Sequence, residues 1–139
     1  MNLQSEIHEK LFDAAARLVN ERYPSGSGGA AAVATSRGSI LTSVSPDTEH
    51  DALSLCMEVG AFLEACKLNE NVTHSLCIYR ESPESDFIVL TACGICQERL
   101  AYWGGEVEVA ISNPENQLIF KPLRELMPHH WSQVNEKKS

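Results

Sequence analysis

The period of the apolar residues changes along this chain in an order that leaves few architectures open. Leu3, Ile7, Leu11, Ala14, Ala15, Leu18 and Val19 recur at helical spacing, which predicts an amphipathic helix over 3–22. The glycine- and serine-rich stretch from Pro24 to Gly29 ends it. Two apolar runs follow, Ala30 to Thr35 and Ser39 to Val44, around Ser36-Arg37-Gly38, the pattern of a β-hairpin. Ser45 to His50 reads as a loop. Helical spacing returns over 53–68, with Leu55, Val59, Phe62, Leu63 and Cys66 on one side. Ser75 to Tyr79 and Phe87 to Leu90 then read as strands across the acidic loop Glu81 to Asp86. A helix over 94–103 stops at Gly104-Gly105. Val107 to Ile111 and Gln117 to Phe120 pair around Asn113-Pro114-Glu115-Asn116, and a short helix runs from Leu123 to Met127. The order α-β-β-α-β-β-α-β-β-α predicts an α/β domain whose sheet is covered on both faces by helices. No repeat or linker divides it, so residues 1–139 read as one domain with a polar tail over 132–139.

The net charge is −8, from 11 basic and 19 acidic residues. That balance argues against a nucleic-acid surface, which needs clustered Lys and Arg, and favours a small-molecule substrate. No apolar run approaches the roughly 18 residues of a membrane span. The N-terminal segment carries acids inside its apolar pattern, unlike a secretory signal, so a cytoplasmic protein is expected. The chain has five cysteines, and in a reducing compartment thiols at motif spacing are metal ligands or redox centres more often than disulfides.

Three of these cysteines fall at the expected starts of two helices: Cys56 on one, Cys93 and Cys96 on the other. The i, i+3 spacing of Cys93-Gly94-Ile95-Cys96 puts both sulfurs on one side of a first helical turn. Zinc favours thiolates in tetrahedral array, and three protein ligands leave a fourth position for water. Helix N-termini offer partial positive charge and free N–H donors, which offset the charge of the sulfurs. Glu58, two residues after Cys56, can place a carboxylate beside the metal without ligating it. Zinc lowers the pKa of the water it binds from about 15.7 toward about 7, and a neighbouring carboxylate can move that proton to a leaving nitrogen. This is the chemistry of hydrolytic deamination. Cys66 and Cys77 match no motif and read as inert buried thiols. The five histidines lack metal spacing relative to the cysteines and read as surface or loop residues. His50 is set apart only because its loop leads to Cys56.

The pattern Cys56-Met57-Glu58 with Ala92-Cys93-Gly94-Ile95-Cys96 resembles the zinc-dependent cytidine deaminases. It is particularly close to the small three-cysteine class that includes blasticidin S deaminases. The likeness extends to Tyr23 through Val33, similar to the family's Tyr-Ser-x-Phe-x-Val-Gly-Ala-Ala-Leu, and to Glu125-Leu126-Met127-Pro128-His129-His130-Trp131. The resemblance implies a three-layer α/β/α sandwich on a mixed, five-stranded-type sheet, and a homotetramer with shared active sites. In it Trp131 closes the pocket of a neighbouring subunit. Several positions depart from the pattern. The family's ribose-gripping Asn-x-Glu is replaced by Ser45 and Asp47, eleven and nine residues before Cys56. Gly26 stands where the pocket Phe would be, and Ala92 where Pro would precede Cys93. The arginines that follow the ligands are replaced by Val59 and Gln97, and Arg99 faces either the sulfurs or solvent. Altered sugar contacts alter the substrate, so the resemblance implies deamination of a cytosine-type nucleoside or related aminopyrimidine, cytidine or blasticidin S among them. Two other functions fit parts of the pattern. Cys93 and Cys96 alone would suit a thiol-disulfide oxidoreductase, and the lost Arg, Asn and Phe would suit a zinc-binding, non-catalytic member of the fold.

Overall fold

The computed structural model describes residues 3–138. The first helical period forms one helix, α1 (Leu3–Arg22), whose fully buried stripe is Leu11, Ala15 and Val19. β1 (Gly28–Thr35) and β2 (Ile40–Ser43) form the expected hairpin, with Ala34 opposite Ile40 and Ala31 opposite Ser43. Gly38 takes a φ of 86° in its turn, a conformation that glycine adopts without steric cost. β3 (Val72–Arg80) runs antiparallel along β1 and forms the centre of the sheet.

The other edge of β3 is shared. β5 (Glu108–Ala110) pairs parallel with its first half, and β4 (Ile88–Leu90) pairs antiparallel with its second half. β6 (Phe120–Pro122) closes the far side against β5. Six strands thus fill five positions, in the order β2-β1-β3-β5-β6. Helix α1 covers one face, packing on Ala30, Ala32, Leu76 and Ile78. The opposite face carries α2 (Val59–Leu68), α3 (Gly94–Leu100) and α4 (Leu123–Leu126) over Val33, Leu41 and Val109. The result is the expected α/β/α sandwich on a mixed sheet. Alanine at four of five consecutive positions in β1 lets both helical layers approach a strand buried on both faces. Among the described residues, no helix is long and apolar enough to cross a membrane.

Three local expectations shift. The helix expected from Leu53 begins only at Val59: 51–53 form a single 3-10 turn, and 54–56 are outside any helix or strand. Its buried face is Val59, Ala61, Phe62 and Ala65, while Leu55, Leu63 and Cys66 are exposed. Small residues face the sheet here, so ranking faces by hydrophobicity picks the wrong stripe. The last strand starts at Phe120 rather than Gln117, because the Asn113 side chain bonds both the N–H and the carbonyl of Gln117 and holds 113–117 as a turn. Finally, the polar tail expected over 132–139 is, as far as Lys138, part of a 3-10 helix, Trp131–Lys138.

Candidate metal centre

Two chain breaks in the helical layer carry the reactive groups. Before α2, the Ser43 hydroxyl donates to the Met57 carbonyl at 2.6 Å and accepts from the Ala61 N–H at 3.0 Å. The Val59 N–H closes a turn onto the Cys56 carbonyl at 3.1 Å. Together these bonds fix where the helix starts, leaving Cys56 just ahead of it and Glu58 at its N-cap. Gly60 is required by this arrangement: a Cβ there would lie 2.8 Å from that of Ser43. Before α3, Ser112 and Thr91 exchange hydrogen bonds of 2.7 and 3.0 Å, and the Ser112 hydroxyl also donates to the Val89 carbonyl. This clasp holds the end of β4 as the chain leaves for Cys93. Gln97 donates to the Ala92 carbonyl at 2.8 Å, tightening the turn between the two later cysteines.

Cys56, Cys93 and Cys96 meet there, with all three sulfurs within 4.8 Å of one another. The Cys56 and Cys93 sulfurs are 3.4 Å apart. Tetrahedral zinc with bonds of about 2.3 Å sets its sulfurs roughly 3.8 Å apart, so the spacing fits the ion. The donor set fits too: three soft thiols suit zinc, and three ligands leave one coordination position open. Arg99 is exposed along its length, yet its Nη1 donates to the Cys96 sulfur at 3.4 Å. The guanidinium therefore reaches the cluster in place of the arginines missing at Val59 and Gln97. A redox pair would need only Cys93 and Cys96. A third thiol brought from a different element is what a metal requires.

The thiols differ in acidity. Burial pushes Cys96 well up, reinforced by the charge of Glu58. Burial also raises Cys56. For Cys93 burial acts upward, but the Cys96 backbone N–H and the neighbouring thiols outweigh it, and its pKa falls. Glu58 itself is 3% exposed. Its carboxylate lies in hydrogen-bond reach of Cys96 and accepts from the Cys77 thiol at 2.8 Å.

Ser45, Cys56, Glu58, Cys77, Thr91 and Cys93 line a cleft of about 210 Å³. A hollow of about 450 Å³ between α1 and β2 is larger but holds no thiol or histidine, so chemistry rather than size marks the site. Asp47 is not on the cleft; its carboxylate pairs with the Arg22 guanidinium at 2.5 Å. Trp131 is 71% exposed, its indole N–H bonded to Glu98, which also bonds His130. His50 is exposed, and among the described residues the possible metal cluster contains no histidine. Cys66 is exposed rather than buried. Cys77 is buried as expected but is not inert, because it bonds Glu58. Neither Ser43 nor Cys77 has a spacing signature in the sequence; their contacts arise from strand pairing.

No family sequence model and no curated protein sequence matches the chain. Among solved structures, it is 48% identical to the cytidine deaminase from Bacillus anthracis, over 95% of this chain and 94% of that one, with a TM-score of 0.91. The cytidine deaminase from Mycobacterium leprae shares the fold at 19% identity, covering 87% and 97% of the two chains with a TM-score of 0.68. That from Burkholderia pseudomallei does so at 18% identity, covering 89% and 98% with a TM-score of 0.68. Near-half identity over almost the whole length, with a three-thiol cluster that fits zinc, carries the likeness beyond architecture: the chain belongs to the cytidine deaminase family of zinc-dependent aminohydrolases.

Proposed function

We propose that this protein hydrolytically deaminates a cytosine-type nucleoside or a related aminopyrimidine, with Cys56, Cys93 and Cys96 as zinc ligands and Glu58 as general acid and base. The observation that carries the reading is the Glu58 carboxylate, buried beside three thiols that fit one zinc ion. Zinc, when bound, supplies acidification of water to a pKa near about 7. Glu58 takes the proton of the attacking water and delivers it to the departing amino nitrogen. The carbon–nitrogen bond breaks, a carbonyl replaces the amine, and ammonia leaves. Arg99 offsets the charge of the sulfurs and keeps the ligand set compact.

The substrate is read from what surrounds that chemistry. Ser45 lies on the cleft and can hydrogen-bond a ligand. Asp47, held by Arg22, leaves the sugar-gripping role unfilled within one chain. A pocket built without those contacts admits substrates other than cytidine, blasticidin S among them. The cleft is also smaller than the roughly 300 Å³ at the lower end of ligand sites. Leu53 and Leu55 before Cys56, and Ile95 between the later ligands, are all more than half exposed. These features support a homotetramer in which Trp131 of a neighbouring copy completes the pocket. The five free thiols suit a reducing cytoplasm.

The test is metal analysis followed by ammonia release over cytidine, deoxycytidine, cytosine, blasticidin S and aminopurines. One zinc per chain and turnover of at least one cytosine-type compound are expected. A zinc-loaded protein that released ammonia from none of them would end the proposal. Sedimentation at equilibrium reports the assembly, and a monomer active at full rate would rule out a shared pocket.

A further inference from the structure

Side chains on β3 alternate between the two faces of the sheet. Leu76 and Ile78 point into the α1 layer. Cys77, between them, faces the opposite layer, where it is flanked by Ala31 on β1 and Leu90 on β4. It therefore rises from the floor of the sheet beneath the start of α2, and its thiol donates to Glu58 Oε2 at 2.8 Å. Both residues are buried at the base of the cleft, at 5% and 3% exposure.

Ser43 fixes the backbone on either side of Glu58 but does not touch its carboxylate. Although Glu58 occupies the N-cap of α2, its side chain makes no capping bond. Its own helix thus leaves the carboxylate free to rotate. Of the two thiols in reach of it, Cys77 is the one outside the ligand set.

We propose that Cys77 is a positioning residue for deamination, its S–H holding Oε2 of Glu58 so that the carboxylate is fixed and Oε1 is left to exchange protons with the substrate. The inference rests on the reading of Glu58 as the general acid and base. A thiol suits the position: it is small and apolar enough for a sheet floor, yet carries one donor. Simple packing makes the opposite prediction for substitutions. An apolar floor tolerates Ala better than Ser, whereas a donor to Glu58 is replaced by Ser and lost in Ala.

The experiment compares Cys77→Ala and Cys77→Ser in the full, zinc-loaded chain. For Cys77→Ala, kcat is expected to fall about tenfold, KM to change less than about twofold, and zinc content to stay at one per chain. Cys77→Ser is expected to recover most of the lost kcat. Infrared absorption of the S–H stretch gives a readout independent of turnover. A shifted band is expected in the native protein, absent from Cys77→Ala and displaced in Glu58→Gln. Unchanged kcat in Cys77→Ala, or Ser no better than Ala, would overturn the proposal, as would an S–H band indifferent to Glu58→Gln. If Glu58→Gln abolishes turnover while Cys77→Ala is fully active, this inference alone fails. If Glu58→Gln is fully active, the reading of Glu58 fails with it. Should Cys77→Ala not fold, the Ser variant and the infrared band decide.

Discussion

Burial of His74 is expected to make the fold acid-labile. It sits on β3 facing the α1 layer, 6% exposed, with the ring of His8 at 5.8 Å and that of Phe120 at 5.9 Å. Its ring nitrogens lie 2.9 Å from the Thr73 hydroxyl and 3.2 Å from the Gln4 side-chain oxygen. Those oxygens can accept hydrogen bonds from an imidazolium, but burial and then the charge of His8 dominate, and the pKa falls from 6.5 to about 4. In the folded state the neutral ring is therefore favoured. Its contribution to stability is complete above pH 6.5 and is lost as the pH falls toward 4. From 6.5 down to about 4, at about 1.4 kcal/mol per tenfold change in proton concentration, the full contribution is roughly 3.5 kcal/mol, of which about 3 kcal/mol is lost by pH 4. Glu108, opposite His74 on β5, acts in the other sense, since burial raises its carboxyl, and acid also weakens metal–thiolate bonds. A comparison of the native chain with His74→Gln removes both backgrounds. Urea unfolding at pH 4 to 8 should show the native chain losing about 3 kcal/mol more than the variant between pH 7 and 4. Parallel curves would mean that Thr73 and Gln4 hold the cation after all, and the burial argument would be wrong.

Arg99→Ala should leave the fold intact but speed the loss of zinc to a chelator, with Arg99→Lys intermediate; equal release rates would show that the guanidinium does not support the sulfurs. Ser43→Ala removes both bonds that set the start of α2 and should cost about 1–3 kcal/mol in thermal unfolding, with a fall in kcat because Glu58 moves with that segment. Cys66→Ser should alter neither zinc content nor turnover, while removing the thiol that reacts fastest in the zinc-loaded chain. Loss of zinc in that variant would contradict its exposed, unligated position.

Much of this architecture is legible because the helices and strands bury different periods. α1 falls on its expected residues since one stripe faces one layer. The start of α2 is not legible: it is set by the Ser43 hydroxyl, fourteen and eighteen residues away from its two partners, and no local pattern encodes such a contact. β3 is buried on both faces, so its reading as a strand hides which side chains serve which layer. That is why Cys77 passes for filler in the sequence. The three cysteines and Glu58 stand out in the sequence because metal and proton chemistry demand specific residue types at fixed spacing. Asp47 shows the converse case. Its position in the sequence matches a sugar contact, whereas its pairing with Arg22 joins elements far apart in the chain and has no local signature.

The most direct test of the account is ammonia release by the native chain and by Glu58→Gln, each with its zinc content measured in the same preparation. One zinc per chain is expected in both, with turnover in Glu58→Gln slower than in the native protein by about 10²-fold or more. Full turnover by a zinc-loaded Glu58→Gln protein, or turnover by native protein stripped of metal, would contradict it.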